Sequence, residues 1–213
     1  MHYEFSKISY KEAKGFLLPL HYSGRTPSIS YAFGIHVNGV LSAVCTFGKP
    51  ASNPLCVGVC GPSMSSQVYE LNRLCRLDNF NVPLSKFVGR CLRELKKDNL
   101  IVISYSDTAM GHNGYVYQAT NFLYTGATKR RTDKYTKGNK HPRHYSNADQ
   151  GTLRKVRSAK HRYVYFAMDK RSKRKARSLL RYDIFDYPKG DNNTYKLGTY
   201  LEPEIIDTTK KDK

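Results

Sequence analysis

The sequence predicts an α+β protein with a mixed, partly antiparallel sheet flanked by helices. Two strand-like runs, 28–37 and 40–47, are separated by Asn38-Gly39, a dipeptide typical of a tight β-hairpin. Further along, an amphipathic helix at 85–97 separates two strand-like runs. Strands joined by a crossover helix can lie parallel in one sheet. An antiparallel hairpin and a parallel crossover together indicate a mixed sheet.

Local signals predict the individual elements. Ser9 and Glu12 form a capping-box pattern, so a first helix should begin there and end before Pro19. Residues 67–77 alternate in polarity, which predicts a strand, whereas the segment rich in Pro, Gly, Ser and Asn at 49–62 predicts a loop. The remaining predicted elements are a strand at 100–105, a glycine turn with a short helix, a strand ending at Gly126, a strand at 162–168, a basic helix at 169–181 and a turn at 187–190.

Composition divides the chain into three parts of one expected domain. Residues 1–126 carry the strand and helix patterns and should form the core. Residues 127–160 are polar, basic and poor in aliphatic side chains, which predicts an extended insertion or loop. Residues 161–213 supply a late strand, a basic helix and a C-terminal extension that complete the same domain.

The charge of the chain indicates its class of partner. The formal net charge is +19, and residues 129–182 hold 19 Lys and Arg against 3 Asp and Glu. Such a local excess is self-repelling unless a polyanion neutralises it. Aromatic residues are interleaved with these cations, as in nucleic-acid grooves. The alternative is a solvated charged segment without specificity.

Other features predict a cytosolic protein that does not cross a membrane. No apolar run approaches the roughly 20 residues of a spanning helix, and the N-terminus lacks the apolar region of a signal peptide. The odd number of cysteines, five, favours free thiols over a disulfide framework. Two of them, Cys56 and Cys60, lack further ligands at the usual spacing of a zinc site.

Candidate site residues cluster around residues 104–126. Asp107 follows a buried strand and precedes two turn glycines, which is where α/β proteins place reacting groups, so it is our candidate general base or orienting group. His21 and Tyr22 occupy a loop after the first helix. Arg73 is predicted on the same strand face as Leu71 and Cys75, where its charge needs an anion: a cofactor phosphate or Asp107.

Several motifs together resemble one known family. They are His21-Tyr22-Ser23-Gly24, Phe47-Gly48-Lys49-Pro50, 69–74, 104–107, 111–119, 162–166 and Tyr187-Pro188-Lys189-Gly190. This combination resembles the Mom proteins of bacteriophages, which are built on the N-acetyltransferase (GNAT) fold. The resemblance implies a transferase that places a carbamoylmethyl group on the N6 amine of adenine in double-stranded DNA, in the cytoplasm of the infected host. This modification protects phage DNA from host restriction, and acetyl-CoA is the implied cofactor.

The resemblance also suggests roles for individual residues. It makes His21, Tyr22 and Asp107 the catalytic candidates. The glycine-rich pyrophosphate loop of the fold is replaced here by the glycine-free segment 79–85, so Arg73, Ser85 and Lys86 are the candidates for binding cofactor phosphates. Ser85 is alternatively a plain helix cap.

Two further groups of residues complete the predicted site. If the chemistry uses a metal such as iron, His21, Asp107 and His112 are the ligands to test; alternatively, His112 is a turn histidine bonded to a backbone carbonyl. Lys129, Arg130 and Arg131 should bind phosphates, and Tyr117 or Tyr124 should hold a flipped base.

Two alternatives to a DNA-modifying enzyme remain open from the sequence. The missing glycines favour a non-catalytic nucleic-acid-binding protein that retains the fold. An ordinary acetyltransferase acting on a protein or small amine is less consistent with the charge.

Overall fold

The computed structural model describes residues 2–135, 151–190, 197–198, 202 and 204–208. The strands are β1 (Tyr3–Lys7), β2 (Tyr31–Val37), β3 (Val40–Gly48), β4 (Val68–Arg76), β5 (Leu100–Asp107), β6 (Leu123–Ala127), β7 (Arg131–Lys134), β8 (Leu153–Arg157), β9 (Lys160–Ala167) and β10 (Ile205–Asp207). The α-helices are α1 (Tyr10–Leu20), α2 (Asn53–Cys60), α3 (Leu84–Leu95), α4 (Tyr115–Ala119) and α5 (Lys170–Ser178). Short 3₁₀ helices span Pro62–Gln67, Lys96–Asp98 and Thr108–Met110.

A seven-stranded mixed sheet forms the body of the described structure, in the order β1-β2-β3-β4-β5-β9-β6. Strands β1 to β4 pair antiparallel, β4 and β5 pair parallel, and β9 lies antiparallel between β5 and β6. The α3 crossover joins the two parallel strands. The predicted mixed α+β architecture is therefore confirmed.

Helices cover both faces of this sheet. On one face, α3 packs with Phe87, Val88 and Leu92 against a cluster that contains Phe33 and Val102. We call this the α3 face. On the opposite face, α1 packs on β2, β3 and β4, while α2 and α5 pack on β5 and β9. We call this the α1 face. Burial on both faces fixes the strands rigidly, which is a requirement for aiming side chains at a site.

The capping and turn signals have the predicted local geometry. The Ser9 backbone N–H donates to Glu12 Oε2 at 2.8 Å, and the Glu12 N–H donates to Ser9 Oγ at 3.2 Å. Asn38 and Gly39 both have positive φ, as a tight hairpin requires. The predicted end of α1 is wrong by a short distance, since the helix includes Pro19 and ends at Leu20. A proline in the last turn removes only one helical hydrogen bond.

Three segments differ from the sequence prediction. The predicted loop at 49–62 contains α2, whose N-cap Ser52 and early Pro54 are helix-start signals. Strand β1 was not predicted. The predicted insertion at 127–160 contributes β7 and β8 to a three-stranded antiparallel sheet with order β10-β8-β7, while residues 136–150 of that prediction lie outside the described residues.

Two global expectations agree with the structure. All five cysteines are buried free thiols. Among the described residues, no helix has the length and apolar character needed to cross a bilayer.

Candidate functional site

A cleft opens where β4 and β5 separate. Their parallel pairing runs from Val68 opposite Ile101 to Leu71 opposite Ser104 and then ends. Beyond this point β4 pairs with β3, and β5 pairs with β9. The cleft between the diverging strands has a volume of about 330 Å³. Its position is set by the backbone, so it is a property of the fold rather than of one side chain.

The cleft has two chemically different halves. The half on the α1 face is polar and is lined by Glu70, Arg73, Tyr105, Lys160 and His21. The half on the α3 face is apolar and is lined by Leu71, Leu74, Leu84 and Val116, which pack on the α3 cluster. A single cleft therefore combines a compartment lined by charged and polar side chains with a neighbouring compartment lined by apolar side chains.

Tyr117 lines the cleft and is partly buried against the α3 cluster. Its ring centroid is 5.4 Å from that of Phe122 and 5.2 Å from that of Tyr163. Burial raises the pKa of Tyr117, and a hydrogen bond with Ser104 offsets part of that rise. Tyr117 is therefore a protonated phenol that supports the point where β4 and β5 separate.

His21 ends α1 and is held as a neutral imidazole. It is 5% exposed, and its Nδ1 accepts a hydrogen bond of 3.1 Å from the Ser23 backbone N–H. Burial lowers its pKa to about 3, with further lowering by the charges of Arg73 and His112. Because Nδ1 accepts, the neutral ring carries its proton on Nε2. His21 is thus suited to donate a hydrogen bond and not to act as a base.

Tyr22 connects the His21 loop with the turn after β5. Its ring stacks on His21 with a centroid distance of 4.4 Å and meets the His112 ring edge-on at 6.4 Å. Burial raises the pKa of Tyr22, and the Asp107 carboxylate raises it further. Tyr22 is therefore a proton donor at neutral pH, and the fold brings the rings of His21, Tyr22 and His112 together.

Asp107 is an ionised carboxylate with several donors. Its Oδ1 accepts from the Ser158 hydroxyl at 2.5 Å and from the Ala109 N–H at 3.1 Å, and its Oδ2 lies 2.9 Å from Lys160 Nζ. Burial alone would raise the pKa of Asp107, but the bonds from Ser158 and Lys160 lower it overall. A carboxylate with a lowered pKa is a weak base.

Asp107 also has a structural role. It does not cap α4, whose N-cap is Gly114. The side chain instead caps the 3₁₀ helix Thr108–Met110 through its bond from the Ala109 N–H. This intervening turn of helix was not predicted, which is why the capping role was missed.

The metal hypothesis is not supported by the geometry. Across the part of the chain that the structure describes, no three His, Cys, Asp or Glu side chains are grouped to hold a metal ion. His21, Asp107 and His112 therefore do not form the predicted metal site. The Lys160 ammonium already contacts Asp107 and would repel a cation there.

Glu70 is the site residue that sequence reasoning missed. It lines the polar half of the cleft, and burial raises its pKa, while Arg73 and Lys160 partly offset the rise. The alternation along β4 places Glu70 on the face opposite Leu71 and does not single it out as a site residue. A central strand with a parallel neighbour is covered on both faces, so a charged side chain within it is shielded from water. A glutamate in such a strand was therefore the sequence signal for a functional residue.

Arg73 does not share the face of Leu71. A β-bulge makes Thr46 pair with Arg73 and Phe47 pair with Leu71, leaving Asn72 as the extra residue. The bulge turns Arg73 to the α1 face, where Nη2 donates to the Arg25 carbonyl at 3.2 Å and Nη1 donates to the Asn72 carbonyl at 2.6 Å. The carboxylate whose pKa Arg73 lowers is Glu70, while Asp107 pairs with Lys160.

The predicted phosphate-binding residues lie at the N-terminus of α3. The helix begins at Leu84 after the N-cap residue Pro83, so Ser85 is its second residue and not its cap. Lys86 is exposed. At the preceding end of β4, Arg76 lines the cleft, and its Nη1 donates to the Leu77 carbonyl at 3.1 Å. Arg76 is therefore a further cation on the route from the cleft to α3.

The predicted nucleic-acid contacts fall in two different environments. Lys129 and Arg130 are exposed between β6 and β7, and Arg131 is exposed as the first residue of β7. Arg130 forms an ion pair of 2.5 Å with Glu204. Tyr124 is 9% exposed, and its hydroxyl is 2.8 Å from His161 Nδ1. Tyr124 thus lies in the core, outside the cleft, in a position that leaves little of its ring open to a base.

Comparison with solved structures supports the fold. An N-acetyltransferase from Staphylococcus aureus Mu50 matches with 12% identity and a TM-score of 0.50, covering 78% of this chain and 99% of that one. The ribosomal-protein-S5-alanine acetyltransferase of Vibrio fischeri matches with 10% identity and a TM-score of 0.47, covering 79% of this chain and 95% of that one. A Salmonella typhimurium protein described as an acetyltransferase, with its cofactor acetyl-CoA, matches with 8% identity and a TM-score of 0.49. The match covers 78% of this chain and 95% of that one.

Comparison with protein families gives the more specific result. No curated protein matches the sequence. The model of the Mom protein family matches residues 2–189, which is most of the chain. This range includes the cleft and the segment 187–189, where the Pro188 carbonyl accepts a 3.2 Å hydrogen bond from Gln118 Nε2 of α4. The chain therefore belongs to the Mom protein family and has the mixed α+β fold of GNAT-type acetyltransferases.

Proposed function

We propose that this protein is a transferase that adds a carbamoylmethyl-type group to the N6 amine of adenine in double-stranded DNA and so protects phage DNA from host restriction. Membership of the Mom family supports a DNA-modifying transferase at the level of the family. The observation that carries the proposal is the divided cleft. A partly buried carboxylate, Glu70, lies in the polar half, next to the apolar half that leads to α3.

The residues of the cleft fit acetyl-CoA as the cofactor. Leu71, Leu74 and Leu84 offer an apolar wall to a pantetheine arm, and the buried Ser106 hydroxyl has no hydrogen-bond partner within the described structure. An amide of that arm would satisfy it. When bound, acetyl-CoA would supply a two-carbon unit as a thioester. A carbamoylmethyl product also needs an amine donor for its amide nitrogen and a two-electron oxidant at the methyl carbon, so these two classes of co-reactant belong to the proposed reaction.

Cations are placed to bind the cofactor phosphates. Arg76 faces the cleft, and Ser85 and Lys86 stand in the first turn of α3, where backbone N–H groups favour an anion. The segment 79–85 contains no glycine, so phosphate binding here depends more on side chains than in a glycine-rich loop. Arg73 faces the polar half and acts on Glu70 instead.

The polar half supplies the acid–base chemistry. The lone pair of the adenine N6 amine is delocalised into the ring, so a base must take its proton as the new N6–carbon bond forms. Glu70, with its raised pKa, is the proposed base, and Arg73 and Lys160 stabilise its charged form. Tyr22 is proposed to protonate the leaving group as the bond to carbon breaks. His21 supports the Tyr22 ring, and Asp107 orients Lys160.

DNA binding is proposed for the basic C-terminal half. Residues 129–182 carry the excess of cations, and the six basic residues of α5 are exposed with no acidic residue among them. Because N6 lies within the base stack of a duplex, the target adenine must be extruded into the cleft.

Nucleoside analysis tests this function. Plasmid DNA from cells that express the protein is digested to nucleosides and analysed by mass spectrometry. We expect a modified deoxyadenosine with the wild-type protein and none with Glu70→Gln. Glu94→Gln, a surface substitution on α3 where Glu94 pairs with Lys97, is the matched control.

The second candidate function is non-catalytic binding to nucleic acid, which the glycine-free segment 79–85 favours. Unmodified deoxyadenosine from every sample, together with tight DNA binding by the purified protein, would support this candidate against the enzyme.

A further inference from the structure

Four tyrosines line the cleft, and one differs from the others in exposure. Tyr22 stacks on His21, burial raises the pKa of Tyr105, and Tyr117 packs in the core. Tyr115 is 67% exposed. Within the described residues, Tyr115 has no ring contact, so an aromatic face at the lip of the cleft is open to a ligand.

The support beneath Tyr115 is rigid. It is the first residue of α4 and follows Gly114, which has a φ of +74°. A Cβ at Gly114 would come within 2.5 Å of the Tyr163 ring, so the backbone sits directly on that ring. The Asn113 carbonyl accepts hydrogen bonds from the Tyr163 hydroxyl at 2.5 Å and from Gln118 Nε2 at 2.9 Å. An exposed ring on an immobilised backbone loses little entropy when a ligand binds.

The surroundings of Tyr115 select the class of ligand. Arg73, Arg76 and Lys160 line the same cleft, which disfavours a cationic ligand for the ring. Arginines and lysines bind phosphates, whereas a tyrosine face binds a flat ring. A ligand that combines anionic phosphates with a planar ring is a nucleotide unit.

We propose that Tyr115 is the stacking platform for the target adenine of DNA, and that it positions this base at the mouth of the cleft. The inference rests on the proposed function, since it takes DNA as the substrate. It replaces Tyr117, whose ring packs on Phe122 and Tyr163, and Tyr124, which is buried in the core, as the aromatic residue that holds the base.

Binding to two single strands of equal length tests the assignment. One is an adenine homopolymer and the other carries abasic sugars, so the two share phosphates and differ only in bases. We expect Tyr115→Ala to weaken binding of the adenine strand on the order of tenfold or more, as loss of base stacking does. Binding of the abasic strand should not change. Tyr115→Phe should bind both strands as the wild type does.

The control is Tyr3→Ala, because Tyr3 is 54% exposed on the edge strand β1 and does not line the cleft. It should leave binding of both strands unchanged. Equal losses of Tyr115→Ala on both strands, or no loss on either, would overturn the assignment.

A calorimetric titration with acetyl-CoA distinguishes the two sources of adenine. We expect Tyr115→Ala to bind acetyl-CoA as the wild type does. Loss of acetyl-CoA affinity with normal binding of the adenine strand would mean that the ring stacks on the cofactor, which overturns the proposal.

If the wild-type protein modifies DNA while Tyr115→Ala retains full affinity for the adenine strand, only the Tyr115 assignment fails. Unmodified DNA from the wild type would refute the proposed function itself.

Discussion

The Ser104 hydroxyl donates a 2.9 Å hydrogen bond to the carbonyl oxygen of Leu71, across the last residue pair of the parallel β4–β5 ladder. This bond lies where the cleft begins. Ser104 is fully buried, so no water competes for the contact. A side chain thus continues the interaction between the strands at the position where regular backbone pairing stops.

Removing this bond should affect both stability and activity. We expect Ser104→Ala to lower the free energy of unfolding by about 1 kcal/mol, the net contribution of a typical hydrogen bond. We also expect slower DNA modification, because the separation of β4 and β5 is no longer fixed. Urea unfolding and nucleoside mass spectrometry measure the two effects.

Ser42→Ala is the matched control for that substitution. Ser42 is also buried, and its hydroxyl donates to the Val40 carbonyl at 2.8 Å, away from the cleft. It should lose similar stability and retain the rate. Equal rate losses in the two variants would mean that general destabilisation, and not the shape of the cleft, controls activity.

Arg73 should set the pH dependence of the reaction. Its charge lowers the pKa of Glu70, which burial otherwise raises. The base must be ionised to accept a proton, so Arg73→Ala should shift the acidic limb of the rate profile to higher pH. Activity lost near neutral pH should partly return in more alkaline buffer. Single-turnover rates across pH test this, with the exposed Arg93→Ala as control. An unshifted limb would remove Glu70 from proton transfer.

Asp107 and Glu70 should differ in the size of their effects. Asp107→Asn retains an oxygen for the Ala109 N–H but loses the ion pair with Lys160. We expect the stability to fall by about 1 kcal/mol. The rate should fall by much less than the roughly hundredfold loss expected for Glu70→Gln. A hundredfold loss in a stable Asp107→Asn protein with normal DNA binding would identify Asp107 as the base.

Much of the fold was predictable because its signals are local. The Asn38-Gly39 hairpin and the Ser9–Glu12 capping box depend only on residues near one another, and both have the predicted geometry. The crossover helix was equally clear, because the apolar stripe of α3 repeats at helical spacing. Such patterns do not depend on tertiary contacts.

The site was less predictable because it depends on tertiary geometry. The bulge that turns Arg73 to the α1 face arises from pairing with β3, and alternation along β4 alone does not reveal it. The pKa of Glu70 depends on its desolvation in the folded protein and on the charge of Lys160, which lies 90 residues further along the chain. Asp107 was located correctly at the end of a strand, but its bonds to Ser158 and Lys160 come from β9 and the residues before it.

His21 should make stability depend on pH. Burial lowers its folded-state pKa to about 3, whereas an unfolded histidine has a pKa of about 6.5. Below pH 6.5 the unfolded chain therefore binds a proton that the folded protein does not, and stability falls as the pH is lowered. This contribution should approach ~1.4 kcal/mol per pH unit. Urea unfolding between about pH 7.5 and 5.5 should show a shallower dependence for His21→Gln than for the wild type.

The exposed His2→Gln is the control for that series. It should retain the wild-type pH dependence. The same slope in His21→Gln and the wild type would show that other groups dominate the titration.

Salt dependence should rank the three cations of residues 129–131, at the start of β7. Each phosphate contact contributes a slope of roughly −0.9 to the logarithm of affinity against the logarithm of salt concentration. Lys129→Ala and Arg131→Ala should each reduce the slope by about one. Arg130→Ala should reduce it less, because Arg130 already pairs with Glu204.

Lys7→Ala, on the edge strand β1, should leave the slope unchanged. Fluorescence anisotropy with duplex DNA at several salt concentrations gives these slopes, and equal effects of Lys7 and Lys129 would mean that the basic segment has no special role in binding.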